Sequence, residues 1–239
     1  MQKKNLPLSI FYPVYNDWGT IASMVAESVI TAEKITDDYE IILVDDGSRE
    51  KTKEILKLLE KTFPQVRVIT HEKNRGYGGA LKSGFANAAK EFIFYTDGDA
   101  QYDVRELVKL ADAMNDNVDI VNGWKIKRHD PFYRIWIGKI YQYVSKVLFR
   151  LPIKDVDCDF RLMRKSVFDK INLVSNSGTI CVEMIHKLGR NGVRFAEVPV
   201  THYFRASGKS EFFNFGRLLR VARDYSKLWF RLVVFKKED

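Results

Sequence analysis

The stretch Phe92-Ile93-Phe94-Tyr95-Thr96-Asp97-Gly98-Asp99-Ala100-Gln101 joins an apolar run to two aspartates that are one residue apart. The aromatic and β-branched residues at its start predict a buried strand. Two carboxylates at the end of a strand suit a hard divalent cation such as Mg²⁺ or Mn²⁺, and Gln101 offers a third oxygen ligand. Acidic turns after strands are common, so this pattern alone also fits a simple turn. The neighbouring segments decide between the two interpretations.

Apolar runs alternate with amphipathic segments through the first half of the chain. Strands are predicted at 8–14, 41–44, 66–69, 92–95 and 118–121, and helices at 17–34, 51–61, 78–89 and 104–114. Repeated β-α-β units predict an α/β fold with a mostly parallel sheet and right-handed crossovers. Ligands bind such sheets at the carboxyl ends of the strands. Four aspartates should share that edge: Asp45, Asp46, Asp97 and Asp99.

The second half of the chain is less regular. It predicts a helix at 131–150, strands at 160–164 and 194–200, and a polar loop at 202–210. A basic amphipathic tail follows at 212–237. We therefore expect one catalytic domain over 1–210, with helices flanking the central sheet, and an amphipathic C-terminal tail over 211–239.

The composition is that of an ordinary globular domain. The chain has 239 residues, 46% of them apolar, and 39 basic against 31 acidic residues leave a formal charge of +8. That charge is compatible with nucleic acid, an anionic membrane or a polyanionic substrate as a partner. The two cysteines are too few for a disulfide framework and indicate a reducing compartment. Without a signal-peptide pattern or a spanning apolar run, we expect a soluble or peripheral protein.

Four motifs of the first half occur together in a recognisable order. They are Tyr12-Pro13-Val14-Tyr15-Asn16-Asp17, Val44-Asp45-Asp46-Gly47-Ser48, Asn74-Arg75-Gly76-Tyr77-Gly78-Gly79-Ala80 and Asp97-Gly98-Asp99-Ala100-Gln101. In order and spacing they resemble the family 2 glycosyltransferases with the GT-A fold. The resemblance implies a Rossmann-like sheet, a nucleotide-sugar donor and a divalent metal, Mg²⁺ or Mn²⁺.

The residue types in these motifs suit a nucleotide sugar. An aromatic ring and a rigid turn can pack on a base, carboxylates accept from base or ribose donors, and glycines admit close approach of the backbone. Plain turns or solvated charges would explain each residue separately. The expected donor-binding residues are Pro13, Tyr15, Asp17, Asp45, Asp46, Gly76, Lys82, Asp97 and Gly98. The expected metal ligands are Asp97, Asp99 and Gln101.

Two motifs of the second half resemble a narrower group, the dolichyl-phosphate mannose synthases and other polyprenyl-phosphate hexose synthases. They are Asp155-Val156-Asp157-Cys158-Asp159-Phe160-Arg161-Leu162 and the segment from His202 to Ser210. The resemblance implies a lipid phosphate acceptor, dolichyl or undecaprenyl phosphate, which arginine binds well. The expected acceptor residues are Arg134, Arg205, Lys209 and Ser210. Asp17 stands where glutamate is usual, and Asp159 where glycine is frequent.

A phosphate acceptor needs little help from a general base, because it is already anionic near neutral pH. Asp155 and Asp157 could orient the acceptor or act as a base, or could be structural carboxylates paired with Arg161. The expected catalytic residues are Asp97, Asp99, Arg205, Asp155 and Asp157. If the acceptor were a hydroxyl instead, a true base would be required, and Glu183 is the candidate.

Two segments carry basic residues among apolar ones, at 132–149 and 212–237. Such helices can lie in a membrane interface, or can cover the core or a dimer contact. We expect a peripheral protein at the cytoplasmic face of a membrane, with a separate membrane-anchor protein as a candidate partner.

The two resemblances together imply an inverting glycosyltransferase. It would move a hexose from GDP-mannose, UDP-glucose or UDP-N-acetylglucosamine to polyprenyl phosphate. The alternatives are transfer to a polysaccharide or protein hydroxyl and, more remotely, a non-catalytic nucleic-acid-binding module. No nucleic acid is expected, because the basic residues interleave with an apolar face and no nucleic-acid motif occurs.

Overall fold

The computed structural model describes residues 3–126, 132–205 and 215–237, and leaves out the side chains at 132–135, 137 and 215–221. Within these residues seven strands form one sheet. They are β1 (Leu8–Val14), β2 (Tyr39–Asp45), β3 (Val66–Thr70), β4 (Phe92–Thr96), β5 (Ile120–Lys125), β6 (Phe160–Arg164) and β7 (Phe195–Val200). The strand order is β3-β2-β1-β4-β6-β5-β7.

Helices flank this sheet. The described part of the chain forms α1 (Ile21–Ile35), α2 (Glu50–Thr62), α3 (Tyr77–Asn87), α4 (Leu107–Ala113), α5 (Phe132–Phe149), α6 (Ile180–Arg190) and α7 (Phe215–Trp229). Short 3-10 turns occupy Val104–Glu106 and Lys165–Lys170, and a π-helical turn at Phe230–Val234 continues α7. The predicted mixed α/β architecture is confirmed. No helix among the described residues has the length and apolar character needed to cross a membrane.

Most predicted boundaries shift by one or two residues, and three larger differences have a visible cause. The fifth strand starts at Ile120 and not at Val118, because Asp119 forms a turn in which it binds Arg194. The predicted helix at 104–114 begins as a 3-10 turn, where the Asp103 side chain accepts from the Arg105 amide. The helix predicted from Asp17 begins only at Ile21, and the Asp17 carboxylate accepts from the amide of Tyr15 before the helix starts.

The central strands are buried on both faces, which explains their continuous apolar sequence. Along β1, Ile10 and Tyr12 face a cluster under α1, α2 and α4, whereas Phe11 faces a second cluster beneath α3 and α6. The second cluster also contains Leu228 and Leu232, so the end of the C-terminal segment packs against the domain. The predicted domain boundary at 210 falls within residues 206–214, outside the described residues.

Strand β6 is the antiparallel member of the sheet, lying between the parallel strands β4 and β5. Its register pairs Thr96 with Phe160. The residue that follows β4 and the residue that precedes β6 therefore meet at the carboxyl edge of the parallel strands. These residues are Asp97 and Asp159, so the topology brings a segment of the second half beside the Asp97 motif.

Candidate active site

The motif after β4 forms the centre of the candidate site. Asp97 is partly exposed, and its Oδ1 accepts from the Tyr77 hydroxyl at 2.8 Å. Asp99 is buried, and its Oδ1 accepts from the amide of Gln101 at 3.0 Å. Its Oδ2 accepts from Nη2 of Arg205 at 2.7 Å. Arg205, which is expected to bind the acceptor phosphate, therefore contacts Asp99, which is expected to bind the metal.

A left-handed residue shapes this motif. Ala100 has φ +58°, a conformation that costs a non-glycine residue about 1 kcal/mol. The resulting turn directs the amide of Gln101 back to Asp99. The surrounding contacts must therefore offset the backbone strain at Ala100, and the strained turn in return positions the Asp99 carboxylate.

A loop of the second half delivers Arg205. Tyr102 and His202 form an isolated antiparallel bridge, and the amide of Tyr203 donates to the carbonyl of Gln101 at 2.8 Å. The Gln101 side chain donates from Nε2 to the carbonyl of Tyr203 at 3.2 Å. Gln101, expected as a metal ligand, thus also holds the loop that carries Arg205.

Asp159 is a third carboxylate of the site, although its motif indicated it only as a departure from a frequent glycine. Its Oδ1 accepts from Nη1 of the fully buried Arg161 at 3.1 Å and from the Tyr95 hydroxyl at 3.2 Å. The thiol of Cys181 donates to the same oxygen at 3.1 Å. The pattern of an acid immediately before a strand was visible, but only the antiparallel register of β6 places it next to Asp97.

The electrostatics of this edge favour a cation. Burial raises the pKa of Asp97 well above its usual range, and the charges of Asp159 and Asp99 raise it further. Burial also raises the pKa of Asp17 to about 6, with Asp99 adding to the effect. Crowded carboxylates that resist ionisation gain stability from an added positive charge. This observation fits a divalent metal held by Asp97 and Asp99, with the expected third ligand, Gln101, beside them.

The described residues contain no group of three or more His, Cys, Asp and Glu side chains arranged to hold a metal ion. Mg²⁺ sites commonly use one or two carboxylates and complete their coordination with water and substrate phosphates. A pair of protein carboxylates is therefore enough for a metal that arrives with a diphosphate.

The motif after β1 adjoins the metal motif. A β-carbon on Gly98 would lie 3.5 Å from the carbonyl of Pro13 and 3.6 Å from Oδ2 of Asp17. The hydroxyl of Thr20 donates to the carbonyl of Gly98 at 2.6 Å. Tyr15 lies at the surface with 45% of its area exposed. The first and fourth motifs therefore share one edge, as predicted for a donor site.

The two aspartates after β2 are buried but differ in their partners. Asp45 accepts from the amide of Ser48 at 2.8 Å and so closes its own turn. Asp46 accepts through Oδ1 from the amide of Arg75 and from Nδ1 of His71, both at 2.7 Å. Asp46 thus joins the second motif to the third.

The glycines of the third motif contact the protein itself. Gly76 has φ +81°, and a β-carbon there would lie 2.5 Å from the carbonyl oxygen of Asn176. A β-carbon on Gly78 would lie 2.4 Å from the carbonyl oxygen of Ser175. Lys82 donates to Oδ1 of Asn176 at 2.6 Å. These contacts explain the residues structurally, and donor binding by Gly76 and Lys82 stays a prediction.

Asp155 and Asp157 lie near the end of β5. Oδ1 of Asp155 accepts from Nε2 of Gln142 in α5 at 2.5 Å, and the carbonyl of Asp157 accepts from Nζ of Lys125 at 2.8 Å. Neither carboxylate is a hydrogen-bond partner of Arg161, which binds Asp159. The expected pairing of Asp155 or Asp157 with Arg161 was therefore wrong, because Arg161 pairs with Asp159. A role of Asp155 and Asp157 in the reaction stays a prediction.

The remaining acceptor residues lie outside the described structure. The Arg134 side chain belongs to the part of α5 whose side chains are not described, and Lys209 and Ser210 fall within 206–214. Glu183, the candidate base for a hydroxyl acceptor, is fully buried. Its oxygens accept from the amides of Val174 and Ser175 at 3.1 and 2.8 Å.

Helix α5 exposes large apolar side chains. Tyr143, Val147 and Trp136 have 72%, 57% and 56% of their area exposed. Phe230 and Phe235, after α7, are likewise exposed. Both segments predicted to face a membrane therefore keep apolar side chains at the surface.

Comparisons with known proteins agree with these observations. The profile of Glycosyl transferase family 2 matches residues 9–172. An undecaprenyl-phosphate 4-deoxy-4-formamido-L-arabinose transferase of Edwardsiella ictaluri is 26% identical over 86% of this chain and 62% of its own length. The transferase of that name from Enterobacter sp. is 24% identical over 91% of this chain and 65% of its own length. The chain thus spans somewhat less than two thirds of these relatives.

Two solved structures show the same fold. Glucosyl-3-phosphoglycerate synthase from Mycobacterium tuberculosis, in complex with Mn²⁺, UDP and phosphoglyceric acid, superposes with a TM-score of 0.71 at 14% identity. The match covers 94% of this chain and 78% of that one. A mannosyltransferase from Pyrobaculum calidifontis with GDP-Man and Mn²⁺ has a TM-score of 0.67 at 17% identity, over 96% and 64% of the two chains. The predicted GT-A architecture is confirmed.

Proposed function

Because this chain belongs to glycosyl transferase family 2, we propose that it transfers a sugar from a nucleotide diphosphate to a polyprenyl phosphate. The observation that carries this proposal is the 2.7 Å contact between Arg205 and Asp99. It places a guanidinium, the side chain best suited to a phosphate, directly beside the carboxylates expected to hold the metal that binds the donor's diphosphate.

The donor side rests on the shared edge of the four motifs. Pro13, Tyr15 and Asp46 are proposed to hold the nucleoside, while Asp97 and Asp99 hold the metal. A bound Mg²⁺ or Mn²⁺ would stabilise the negative charge that develops on the leaving diphosphate. Solved relatives of the same fold contain Mn²⁺ with UDP or with GDP-Man, which supports this side of the site.

The acceptor side rests on Arg205. Its side chain is 32% exposed, so the guanidinium can reach a ligand while it touches Asp99. The acceptor phosphate oxygen attacks the anomeric carbon on the face opposite the diphosphate. One C–O bond forms as the other breaks, and the leaving group takes the electron pair, so the configuration inverts. Arg205 orients the attacking phosphate and reduces its repulsion from the donor.

A lipid acceptor requires access to a membrane surface. The exposed apolar residues of α5, together with Phe230 and Phe235, support a peripheral attachment. The names of the sequence relatives support undecaprenyl phosphate as the acceptor class. We place the protein at the cytoplasmic face, where nucleotide sugars are available, and keep a separate membrane-anchor protein as a candidate partner.

One observation favours a second candidate, transfer to a hydroxyl. Asp159 brings an additional carboxylate to the reacting edge, and a hydroxyl acceptor needs such a base. Competition between a polyprenyl phosphate and a soluble sugar acceptor distinguishes the two candidates.

The test begins with a donor screen. Calorimetry with Mn²⁺ and UDP-glucose, UDP-N-acetylglucosamine or GDP-mannose should find one donor that binds. The same donor, carrying a labelled sugar, should then label undecaprenyl or dolichyl phosphate in detergent. Failure of the folded protein to bind any of these donors, or to label either lipid, would contradict the proposal.

A further inference from the structure

Two buried charged residues of α6 hold a neighbouring segment of the chain, residues 172–176. Glu183 and Lys187 form an ion pair at 3.0 Å, with 0% and 2% of their side chains exposed. Glu183 accepts from the amides of Val174 and Ser175, and Lys187 donates to the carbonyl of Asn172 at 2.6 Å. The pair thus fixes the 172–176 segment from one side at three backbone positions.

Burial of this pair calls for an explanation other than stability. Removing two charges from water costs several kcal/mol per ion, and apolar residues of similar size are often as stable. In some proteins a buried polar or ionic group instead selects one conformation of its surroundings. Here those surroundings are the 172–176 segment.

The other side of the 172–176 segment supports the start of α3. The amide of Gly78 donates to the carbonyl of Asn176 at 2.9 Å. The approach is so close that a β-carbon on Gly76 or Gly78 would collide with this segment at 2.5 or 2.4 Å. A displacement of the segment therefore changes the position of the residue between these two glycines.

That residue is Tyr77, and it contacts the reacting edge. Its hydroxyl donates to Oδ1 of Asp97 at 2.8 Å. A hydrogen bond to a metal-binding carboxylate orients that carboxylate, and its loss commonly weakens metal binding about 10-fold or more.

We propose that Glu183 and Lys187 are positioning residues, which act through the 172–176 segment and Tyr77 to orient Asp97 for the metal. This inference rests on the proposed function only in so far as Asp97 binds the metal. It reassigns Glu183 from a candidate base to a residue that never touches the substrate.

The test measures Mn²⁺ affinity by electron paramagnetic resonance, in the presence of UDP or GDP. In the double variant Glu183→Leu/Lys187→Met, neither charge is left unpaired, so we expect a folded protein with about 10-fold weaker Mn²⁺ binding. Tyr77→Phe, which removes only a hydroxyl, should weaken binding to a similar extent. Adding the α6 changes to Tyr77→Phe should produce little further loss, because residues on one path are not additive.

A matched control is the ion pair of Asp119 with Arg194, at 2.8 Å, on the opposite edge of the sheet. Asp119→Asn should leave Mn²⁺ affinity unchanged, even where the melting temperature falls.

Unchanged affinity in Tyr77→Phe, or fully additive losses in the combined variant, would overturn the inference while leaving the proposed function standing. Absence of Mn²⁺ binding by the unaltered protein would overturn the metal assignment and this inference together. Should the α6 double variant fail to fold, Glu183→Gln/Lys187→Met, alone and combined with Tyr77→Phe, provides the same comparison, because it also leaves no unpaired charge and keeps an acceptor oxygen at position 183.

Discussion

The two sides of the candidate site are built in different ways. The donor side consists of turns that follow parallel strands, where short-range contacts help to close the turns, as the amide of Ser48 does for Asp45. The acceptor side depends on pairing between distant segments, in which β6 runs antiparallel to β4 and the 202–205 loop pairs with residues 101–102. The two sides meet at Asp99 and Arg205. The proposed reaction therefore requires contacts between the two halves of the chain.

The largest expected effect is loss of the donor side. Asp97→Asn or Asp99→Asn should lower transfer about 10³-fold, because charge on the leaving diphosphate is no longer stabilised. Labelled-sugar transfer and circular dichroism, measured together, separate lost chemistry from lost folding. Near-normal transfer in both folded variants would contradict the metal assignment.

Changing the acceptor side should give a different kinetic pattern. Arg205→Met should lower kcat/KM for the lipid phosphate about 100-fold, the range expected when one member of a close charge pair is removed. Affinity for the donor should stay the same. Arg164→Met, at the other end of β6, is a control that should leave both parameters near normal. Loss of donor binding in Arg205→Met would show that the two sides are not separable.

Sequence patterns predicted the donor side better than the acceptor side. Asp46 and Asp97 each follow an apolar strand, and parallel strands end at the same edge, so their proximity could be inferred. The position of Asp159 depends on the pairing of Thr96 with Phe160, a register that no local pattern specifies. The glycines of the third motif were expected to admit the donor. In the structure the backbone of residues 175–176 approaches them instead, and the sequence around Gly76 does not indicate which backbone will do so.

A smaller effect is expected at Asp159. Asp159→Asn keeps an acceptor for Arg161 but removes the charge next to Asp97. If the acceptor is a lipid phosphate, transfer should fall about 10-fold or less, whereas loss of a true general base costs about 10² to 10⁴-fold. Steady-state rates with saturating donor provide the measurement. A loss beyond 10²-fold would favour a hydroxyl acceptor and thereby refute the present account of the second half.

The smallest expected effect concerns stability and pH. Burial raises the pKa of Asp17 to about 6, above its unfolded value near 4. The contribution of protonated Asp17 to the free energy of unfolding is then complete below about pH 4. It is lost as the pH rises to about 6, because the unfolded chain releases this proton at a lower pH than the folded chain. Asp17→Asn should remove about 2 kcal/mol of this pH dependence. Urea unfolding of the unaltered protein and of Asp17→Asn between pH 4 and 7, without metal, measures this difference. Identical dependence of the unfolding free energy on pH in the two proteins would contradict the raised pKa of Asp17.

The proposed site has a phosphate-binding arginine facing a metal motif that binds the donor's diphosphate. It is tested most directly by comparing undecaprenyl phosphate with undecaprenol, its unphosphorylated alcohol, as acceptors for the labelled donor in the presence of Mn²⁺. We expect transfer to the phosphate and none to the alcohol, with the difference reduced in Arg205→Met. Equal transfer to both lipids, or transfer to the alcohol alone, would contradict it.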